Sequence, residues 1–200
     1  MDGLSMNKAY VHPTAIVENS AKIGKGTKIW HFAHVREGAE IGVDCVLGHA
    51  VYVGKDVKIG DRVKLENRAT VYRGVMIEDN VFVGPHVTFT NDPYPRSLST
   101  DWAIVPTFVK SGASIGAGVV IMCGVTIGKF ALIGAGSVVT NDIPPHALAY
   151  GNPATIKGFV CKCGRRLEKR KAEQRRVLMR CPLCNVKYKI PREDYLKLND

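Results

Sequence analysis

The protein has 200 residues, 46% of them hydrophobic, and a formal net charge of +10. It contains no run of 18 apolar residues, so no membrane span is expected, and its N-terminus MDGLSMNKAYVHP lacks the apolar core of a secretion signal. A cytoplasmic protein is therefore expected. Residues 1–156 carry 14 Lys and Arg against 13 Asp and Glu, whereas residues 157–200 carry 14 against 5. This shift predicts one domain over residues 1–157 and a small basic domain over residues 158–200.

An aliphatic residue or Phe recurs at every sixth position from Val11 to Phe89, and the repeat returns from Val109 to Val139. A short strand and a turn, repeated in this way, stack the same position above itself and bury a continuous aliphatic column. The period predicts an all-β protein, a parallel β-helix. We expect the glycines that follow the column residue to serve turns with unusual backbone angles. They are Gly24, Gly42, Gly48, Gly54 and Gly60.

The stretch FTNDPYPRS, which starts at Phe89, interrupts this period. Between Phe89 and Val109 lie 19 residues where the period allows 5, so an insertion is predicted over residues 90–108. Long excursions from a repeat are usually functional or disordered. The aromatic residues and three prolines of this one favour an ordered binding loop over a simple cover for the coil wall.

The repeat resembles the hexapeptide-repeat acyltransferases. This resemblance implies a left-handed β-helix with three hexads per coil and a homotrimer. It also implies active sites between neighbouring subunits, with acetyl-CoA lying along the groove of the helix. Carbonic anhydrases and binding proteins use the same coil, so the repeat alone leaves the chemistry open.

Three stretches resemble a narrower group: ENRATVY from Glu66 to Tyr72, then FTND and YPRS. They are similar to the N-acetyltransferases of nucleotide-linked amino sugars, in particular the UDP-2-acetamido-3-amino-2,3-dideoxyglucuronate N-acetyltransferase group, with the dTDP-3-aminohexose N-acetyltransferases as near relatives. The resemblance implies acetylation of a UDP-3-amino sugar or uronic acid for surface-polysaccharide biosynthesis. Arg68 departs from the motif, and this leaves the identity of the sugar open.

Four residues are candidates for the acyl transfer itself. Asn91 or Asn67 can hold a sugar amine through its carbonyl oxygen, and Glu66 can do the same or act as a base. His86 has an ordinary pKa of about 6.5, which suits proton transfer near neutrality. The alternative for His86 is a solvated turn residue, and the resemblance also allows the leaving thiolate to take the proton.

Further residues of the insertion are candidates for substrate binding. The planar guanidinium of Arg96 fits a carboxylate or a diphosphate, although a salt bridge to Asp92 or Asp101 is the alternative. Asp92 belongs to the same group of candidates. Tyr94 or Trp102 could stack on a ring of the substrate or simply anchor the loop.

The second part of the repeat is rich in Gly and Ala, which let a ligand approach the backbone closely. In the resembling family this region lines the pantetheine arm of CoA, and the candidates here are Gly116, Gly134, Ala135 and Gly136. Lys157 could meet a phosphate of CoA or remain a solvated lysine.

Two close pairs of cysteines in the basic tail resemble a zinc ribbon. They are Cys161 with Cys163 and Cys181 with Cys184. The first pair is C-x-C rather than C-x-x-C, and two disulfides are the alternative, against which a cytoplasmic location counts. Four thiolates leave no open position, so such a zinc would be structural. Gly164 and Asn185 follow the two pairs and suit the tight turns of zinc knuckles.

Two other classes of function remain as alternatives. The basic segment GRRLEKRKAEQRRVLMR between the cysteine pairs could bind nucleic acid and make the protein a scaffold, although it lacks interleaved aromatic residues. It could equally be a solvated face, or a helix docked on an acidic partner. His31 and His34 resemble a metal pair, which would suit a carbonic-anhydrase-like enzyme. No His lies between His86 and His146, where relatives of that kind supply ligands.

Overall fold

The structure is a computed structural model that describes residues 8–99 and 103–199. Its first part is a coil of short strands. These are β1 (Tyr10–Val11), β2 (Ile16–Val17), β3 (Lys22–Ile23), β4 (Lys28–Ile29), β5 (His34–Val35), β6 (Glu40–Ile41), β7 (Val46–Leu47), β8 (Tyr52–Val53), β9 (Lys58–Ile59), β10 (Lys64–Leu65), β11 (Thr70–Val71), β12 (Val75–Ile77), β13 (Phe82–Val83), β14 (Thr88–Phe89), β15 (Thr107–Val109), β16 (Ser114–Ile115), β17 (Val120–Ile121), β18 (Thr126–Ile127), β19 (Leu132–Ile133) and β20 (Val138–Val139).

Each strand of the coil pairs in parallel with the strand three places further along the chain, and this pairing gives three sheets. Sheet A contains β1, β4 and their successors to β19, sheet B runs from β2 to β20, and sheet C runs from β3 to β18. Partners before the insertion lie 18 residues apart, as in Ile29 opposite Leu47. The predicted parallel β-helix with three hexads per coil is confirmed.

The second residue of most coil strands points inward and forms the core. Ile29, Val35, Leu47, Leu65 and Phe89 are all fully buried. Burial of such a side chain is worth roughly 1.5–3 kcal/mol, so the stacked column supplies the main stabilisation of the coil. β-branched residues dominate it because they suit the crowded wall of a sheet.

Three columns of stacked turns join the sheets and place the candidate residues. Corner 1 joins sheet A to sheet B, corner 2 joins sheet B to sheet C, and corner 3 joins sheet C to sheet A. Corner 1 includes residues 66–68, 84–86, 116–118 and 134–136; corner 2 includes residues 72–74, 90–92, 122–124 and 140–142; corner 3 includes residues 78–80, 110–112 and 128–130.

The glycines after the column residue do not adopt left-handed backbone angles, so the reason predicted for them was wrong. They are needed where consecutive coils come close. A Cβ on Gly48 would lie 2.6 Å from Oδ1 of Asn67, and one on Gly54 would lie 2.8 Å from the backbone nitrogen of Arg73. Positive φ angles fall two residues later in the turn, at residues that include Asp44, Ala50, Asp56 and Arg62.

The insertion leaves the coil at corner 2, directly after β14, and the chain returns at β15. Thr107 already pairs with Val75 of β12, so the insertion ends at residue 106, two residues before the predicted end. The sheets continue in register on both sides of it, because Thr88 pairs with Val120 and Phe82 with Ser114.

The last elements are β21 (Ala147–Gly151), β22 (Ala154–Phe159), β23 (Glu168–Ala172), β24 (Arg176–Arg180), β25 (Lys187–Pro191), α1 (Arg192–Leu196) and a 3-10 helix (Lys197–Asn199). β21 extends sheet A beside β19, and β22 returns antiparallel to it. This pairing runs across the boundary predicted at residue 157, and the division into two domains stays a prediction.

Strands β23, β24 and β25 form an antiparallel sheet, which we name the ribbon sheet. The helix considered for the basic segment was wrong. Val177 and Met179 are buried and alternate with Arg176, Leu178 and Arg180, and this two-residue period belongs to a strand. Among the described residues, no helix is long and apolar enough to cross a membrane.

Candidate functional site

Asn91 begins the insertion at corner 2 and is held by its neighbours. Its side-chain Nδ2 donates to the main-chain oxygen of Arg73, 3.2 Å away, and its own main-chain oxygen accepts from the nitrogen of Val105 at 3.2 Å. Within residues 8–99 and 103–199, no donor reaches Oδ1 of Asn91. The carbonyl oxygen of a fixed amide is therefore free to accept a hydrogen bond from a ligand.

The next residues form a tight turn beside a surface hollow of about 520 Å³. Oδ1 of Asp92 accepts from the nitrogen of Tyr94 at 2.8 Å, as short polar side chains do in turns. Arg96 donates from Nη1 to the oxygen of Pro95 at 2.8 Å. Asp92 and Arg96 are both described and form no ion pair with each other, so the salt bridge to Asp92 is absent, and the one to Asp101 stays a prediction.

Asp101 and Trp102, the other predicted partners in the insertion, lie outside the described residues. Tyr94 is 82% exposed and does not anchor the loop on the described part of this chain. Because its ring is so exposed, Tyr94 is free to stack on a ligand or on a second copy of the chain.

Asn67 lies on corner 1 and has a bond that Asn91 lacks. Its Oδ1 accepts from the main-chain nitrogen of His49 at 2.8 Å, just as Asp61 on corner 3 accepts from the nitrogen of Val43 at 2.9 Å. The oxygen through which Asn67 was predicted to hold an amine is thus engaged between coils. This contact favours a structural role for Asn67.

Glu66 and His86 are neighbours of Asn67 on the same corner. The nitrogen of His86 donates to the main-chain oxygen of Asn67 at 3.0 Å, and His86 is exposed with a φ of 58°. Glu66 is half-buried and, within the described residues, makes no ion pair. Both side chains are open to a ligand, and none of the described residues fixes either of them.

The glycines of corner 1 serve two different purposes. A Cβ on Gly116 would lie 2.6 Å from the nitrogen of Ala135, and one on Gly134 would lie 2.7 Å from Cβ of Tyr150, so both keep the coils close. Gly136 has a φ of 70°, and a Cβ added to it would meet no described atom within 4 Å. With the exposed Ala135, it leaves a bare strip of backbone at the surface.

Gly118 belongs to the same strip and was missed by the sequence analysis. It lies one coil before Gly136, has a φ of 66°, and likewise has open space around it. The signal was present, because Gly118 is 18 residues before Gly136 and therefore occupies the same position of the repeat. Lys157 is on β22 and not in a corner of the coil; it lies near the bulge between Leu148 and Ala149 and is exposed.

The candidate residues therefore occupy two different corners. Asn91, Asp92, Tyr94 and Arg96 lie at corner 2, while Glu66, Asn67, His86 and the glycine strip lie at corner 1. The strands of sheet B separate the two groups. One chain does not bring them together.

The two histidines considered as a metal pair have separate partners. Nε2 of His34 lies 2.9 Å from Oε1 of Glu18, which also accepts from Nε of Arg36 at 2.8 Å. The ring of His31 stacks on that of His12, with centroids 3.5 Å apart. The described residues hold one group of metal-ligating side chains, and it consists of cysteines.

The four tail cysteines form that group, and their ligand atoms all lie within 4.8 Å of one another. The sulfurs of Cys161 and Cys184 are 3.3 Å apart, and those of Cys163 and Cys181 are 3.6 Å apart. Tetrahedral zinc with bonds of about 2.3 Å needs sulfurs about 3.8 Å apart, so the set fits zinc. The knuckle turns have the expected form, because Gly164 and Asn185 both have positive φ.

Tyr188 connects this cluster to the coil. Its hydroxyl lies 3.1 Å from the sulfur of Cys161 and accepts from the nitrogen of Lys162 at 3.2 Å. Burial opposes ionisation of Cys161, but the backbone N–H of Cys163, the Tyr188 hydroxyl and the other thiols outweigh it and lower its pKa to about 6. The ring of Tyr188 packs against His146, which stacks on Phe130 of corner 3.

Comparison with known proteins places the coil in a family. The family model of the bacterial transferase hexapeptide (six repeats) matches residues 20–55, 56–91 and 106–141, and the hexapeptide repeat of succinyl-transferase matches residues 38–73. The chain belongs to the hexapeptide-repeat transferases. Its fold is the left-handed β-helix of that family.

One relative is the dTDP-3-amino-3,6-dideoxy-alpha-D-galactopyranose 3-N-acetyltransferase of Aneurinibacillus thermoaerophilus, 51% identical over 82% of this chain and 85% of the relative. A similar solved structure is PerB from Caulobacter crescentus in complex with CoA and GDP-perosamine, with 25% identity and a TM-score of 0.50. The match covers 76% of this chain and 58% of PerB. WeeI from Acinetobacter baumannii AYE shares the fold, with 23% identity, a TM-score of 0.51, and coverage of 73% and 56%.

Proposed function

We propose that this hexapeptide-repeat transferase moves an acetyl group from acetyl-CoA to the amine of a nucleotide-linked 3-amino sugar. The observation that carries the proposal is its 51% identity, over most of both chains, with an enzyme that acetylates a dTDP-linked 3-amino sugar. That relative supports a dTDP-linked sugar more than the UDP-linked uronic acid expected from the sequence motifs. A role in surface-polysaccharide biosynthesis in the cytoplasm remains the corresponding prediction.

The geometry supports a positioning role for Asn91. A neutral amine attacks the thioester carbon, the new C–N bond forms, the C–S bond breaks, and the amine nitrogen loses one proton. The free Oδ1 of Asn91 can accept an N–H of the amine and aim its lone pair at the thioester. Because Nδ2 is already bonded to Arg73, this orientation of the amide is set before the substrate binds.

Three acceptors remain for the proton. His86 is exposed on corner 1 and can receive it, or the departing thiolate of CoA can take it directly. Glu66, on the same corner, is the second candidate base. None of the three choices requires a metal at the reacting atoms.

We propose that the site is completed by a second copy of the chain. The bare strip formed by Gly118, Ala135 and Gly136 suits the pantetheine arm, but it lies on corner 1, across sheet B from Asn91. A homotrimer that sets corner 1 of one copy against corner 2 of its neighbour would join the two halves. Arg96 and Tyr94 would then face the diphosphate and a ring of the sugar nucleotide.

The cysteine cluster is proposed to hold a structural zinc. Four thiolates would fill its coordination shell and link the two knuckles, with Tyr188 orienting Cys161. The zinc would stabilise the fold of the tail and take no part in acyl transfer.

The test is thiol release from acetyl-CoA with a panel of dTDP- and UDP-linked 3-amino and 4-amino sugars. The expected result is turnover with a 3-amino sugar and none with the matching 3-hydroxy sugar. Mass spectrometry should show a product about 42 Da heavier than the substrate, because one acetyl group replaces one hydrogen of the amine. Absence of release with every sugar, from a folded protein of defined oligomeric state, would contradict the proposal.

A further inference from the structure

The outward face of the ribbon sheet is strongly basic. Leu178 is paired with Lys171 on one side and Lys189 on the other, and Arg180 is paired with Glu168 on one side and Lys187 on the other. Residues directly opposite in an antiparallel sheet point to the same side. Lys171, Lys187 and Lys189 are exposed, whereas Val177 and Met179 face the core on the inward side.

The charges of Lys171 and Lys189 reach one carboxylate, that of Glu173, whose pKa is lowered chiefly by its hydrogen bond from Arg176 and also by these two lysines. The two nearby carboxylates each make their close ion pair with an arginine, since Glu168 pairs with Arg170 at 2.7 Å and Glu173 pairs with Arg176 at 2.7 Å. Lys171, Lys187 and Lys189 form no ion pair within residues 8–99 and 103–199. Like charges placed side by side on a sheet are destabilising unless an anion offsets them.

An apolar turn lies at the end of this face. Leu183 and Val186 belong to the turn between β24 and β25, directly beyond the Arg180–Lys187 pair, and are 64% and 47% exposed. Nη2 of Arg180 is bonded to Oδ1 of Asn185 at 2.8 Å, which ties the guanidinium to the same turn. Cations around exposed aliphatic side chains are typical of surfaces that bind lipid bilayers.

We propose that the ribbon sheet docks this protein on an anionic lipid bilayer, with its lysines on the phosphate headgroups and Leu183 and Val186 in the interface. The charge is complementary to acidic lipids, and the basic side chains of this face come from all three strands of the ribbon sheet. Attraction of this kind is salt-sensitive because it decays within a Debye length. Docking would hold the protein at the membrane although none of its described helices could span a bilayer.

A lipid surface fits this face better than nucleic acid does. Single-stranded nucleic acid is usually bound by aromatic side chains that stack on its bases. On the described outward face the central side chain is Leu178, and Tyr188 points to the opposite side, toward His146 and Cys161. Two exposed aliphatic residues suit insertion among lipids rather than stacking on bases.

The experiment is co-sedimentation of the full-length, metal-loaded protein with vesicles that contain phosphatidylglycerol, compared with pure phosphatidylcholine. Wild type should bind the acidic vesicles at low salt and be released at high salt. Neutralising the face in Lys171→Gln/Lys187→Gln/Lys189→Gln should weaken binding on the order of a hundredfold, since each basic side chain contributes separately.

A matched variant controls for net charge. Lys28→Gln/Lys64→Gln/Lys129→Gln removes the same charge from three exposed lysines of the coil that form no ion pair with described residues. It should bind acidic vesicles as wild type does. Equal loss in both triple variants would show attraction by net charge alone and overturn the proposal, as would failure of wild type to bind any vesicle.

Two further outcomes decide the occupant of the face. Tighter binding to random-sequence DNA or RNA than to the vesicles, lost in the ribbon variant, would overturn the lipid proposal in favour of nucleic acid. Leu183→Ser/Val186→Ser should bind the vesicles roughly tenfold more weakly while keeping its salt dependence. Binding equal to wild type would exclude the turn from the bilayer and overturn that part of the proposal.

Discussion

The side-chain Nδ2 of Asn91 donates to the main-chain oxygen of Arg73 on the preceding coil, across 3.2 Å. This bond decides which end of the amide faces a ligand, because the nitrogen is used and the oxygen is not. In Asn67 the oxygen is used instead, by the nitrogen of His49. Two asparagines that look equivalent in the sequence thus have opposite free ends, and only Asn91 presents an acceptor.

Replacing Asn91 should impair the reaction with little effect on the fold. Asn91→Ala removes the acceptor that aims the amine, and kcat/KM should fall on the order of a hundredfold. Asn19→Ala is the matched control, because Asn19 is exposed at the same position of corner 2 four coils earlier. Thiol-release kinetics of both variants provide the measurement. An Asn91→Ala enzyme with the activity of Asn19→Ala would remove Asn91 from the site.

Asn67 should matter for stability. Asn67→Ala leaves the nitrogen of His49 without its partner and should lower the free energy of unfolding by about 1 kcal/mol. Asn67→Asp keeps an acceptor oxygen and should stay close to wild type in denaturant unfolding. If Asn67→Ala unfolds like wild type but loses activity, the structural interpretation is wrong.

Substitutions of the corner 1 glycines should have two different effects. Gly136→Ala places a methyl group on the bare strip and should raise KM for acetyl-CoA while leaving KM for the sugar nucleotide unchanged. Gly116→Ala forces a methyl group against the backbone of Ala135 and should instead lower the melting temperature. Initial-rate kinetics and thermal unfolding of both proteins distinguish the effects.

Gly164→Ala controls for backbone strain in that comparison. Gly164 also has a positive φ and open surroundings, but it lies in a cysteine knuckle of the tail. Its KM for acetyl-CoA should match wild type. A similar rise of KM in Gly164→Ala would mean that strain alone, and not contact with CoA, explains the Gly136 result.

Glu78 should make stability depend on pH in the acid range. Lys110 at 2.9 Å and Ser111, which donates from Oγ at 2.8 Å, lower the pKa of Glu78 to about 2. Because the pKa of Glu78 is lower in the folded protein than its ordinary value of 4.5, the carboxylate stabilises the fold at pH values above 4.5. This contribution is lost as the pH falls from 4.5 toward 2. Glu78→Gln should therefore lose less stability than wild type over that interval.

The measurement is the denaturant midpoint of wild type and of Glu78→Gln at pH values from about 6 to about 2. Glu193→Gln is the control, because Glu193 is exposed on α1 and forms no ion pair with the described residues. It should follow wild type. Parallel curves for wild type and Glu78→Gln would contradict the assignment.

The tail should bind one zinc per chain. Metal analysis of purified protein should find zinc in wild type and in Cys123→Ser, whose cysteine lies in the coil, and little in Cys161→Ser. Chelation should abolish the near-UV signal of Tyr188 and leave the coil folded, because the coil has its own buried column. Zinc retained by Cys161→Ser at the wild-type level would contradict this site.

Several features could be deduced from the sequence because they depend on the spacing of residues along the chain. The six-residue period defined the coil, the break at Phe89 located the insertion, and the spacing of the four cysteines located the metal-ligating group. Position in the repeat also gives the corner of each residue once three strands per coil are assumed. Gly118 could have been found in this way from Gly136.

The tertiary structure decided what depends on contact between coils. The sequence shows Gly48 and Gly54 at turn positions, but only stacking shows that they make room for the next coil and keep ordinary angles. Likewise, composition placed the charge in the tail, while strand pairing aligned Lys171 and Lys189 on one face. A repeat fixes local conformation through neighbouring residues, whereas free hydrogen-bonding atoms such as Oδ1 of Asn91 depend on partners 18 residues away.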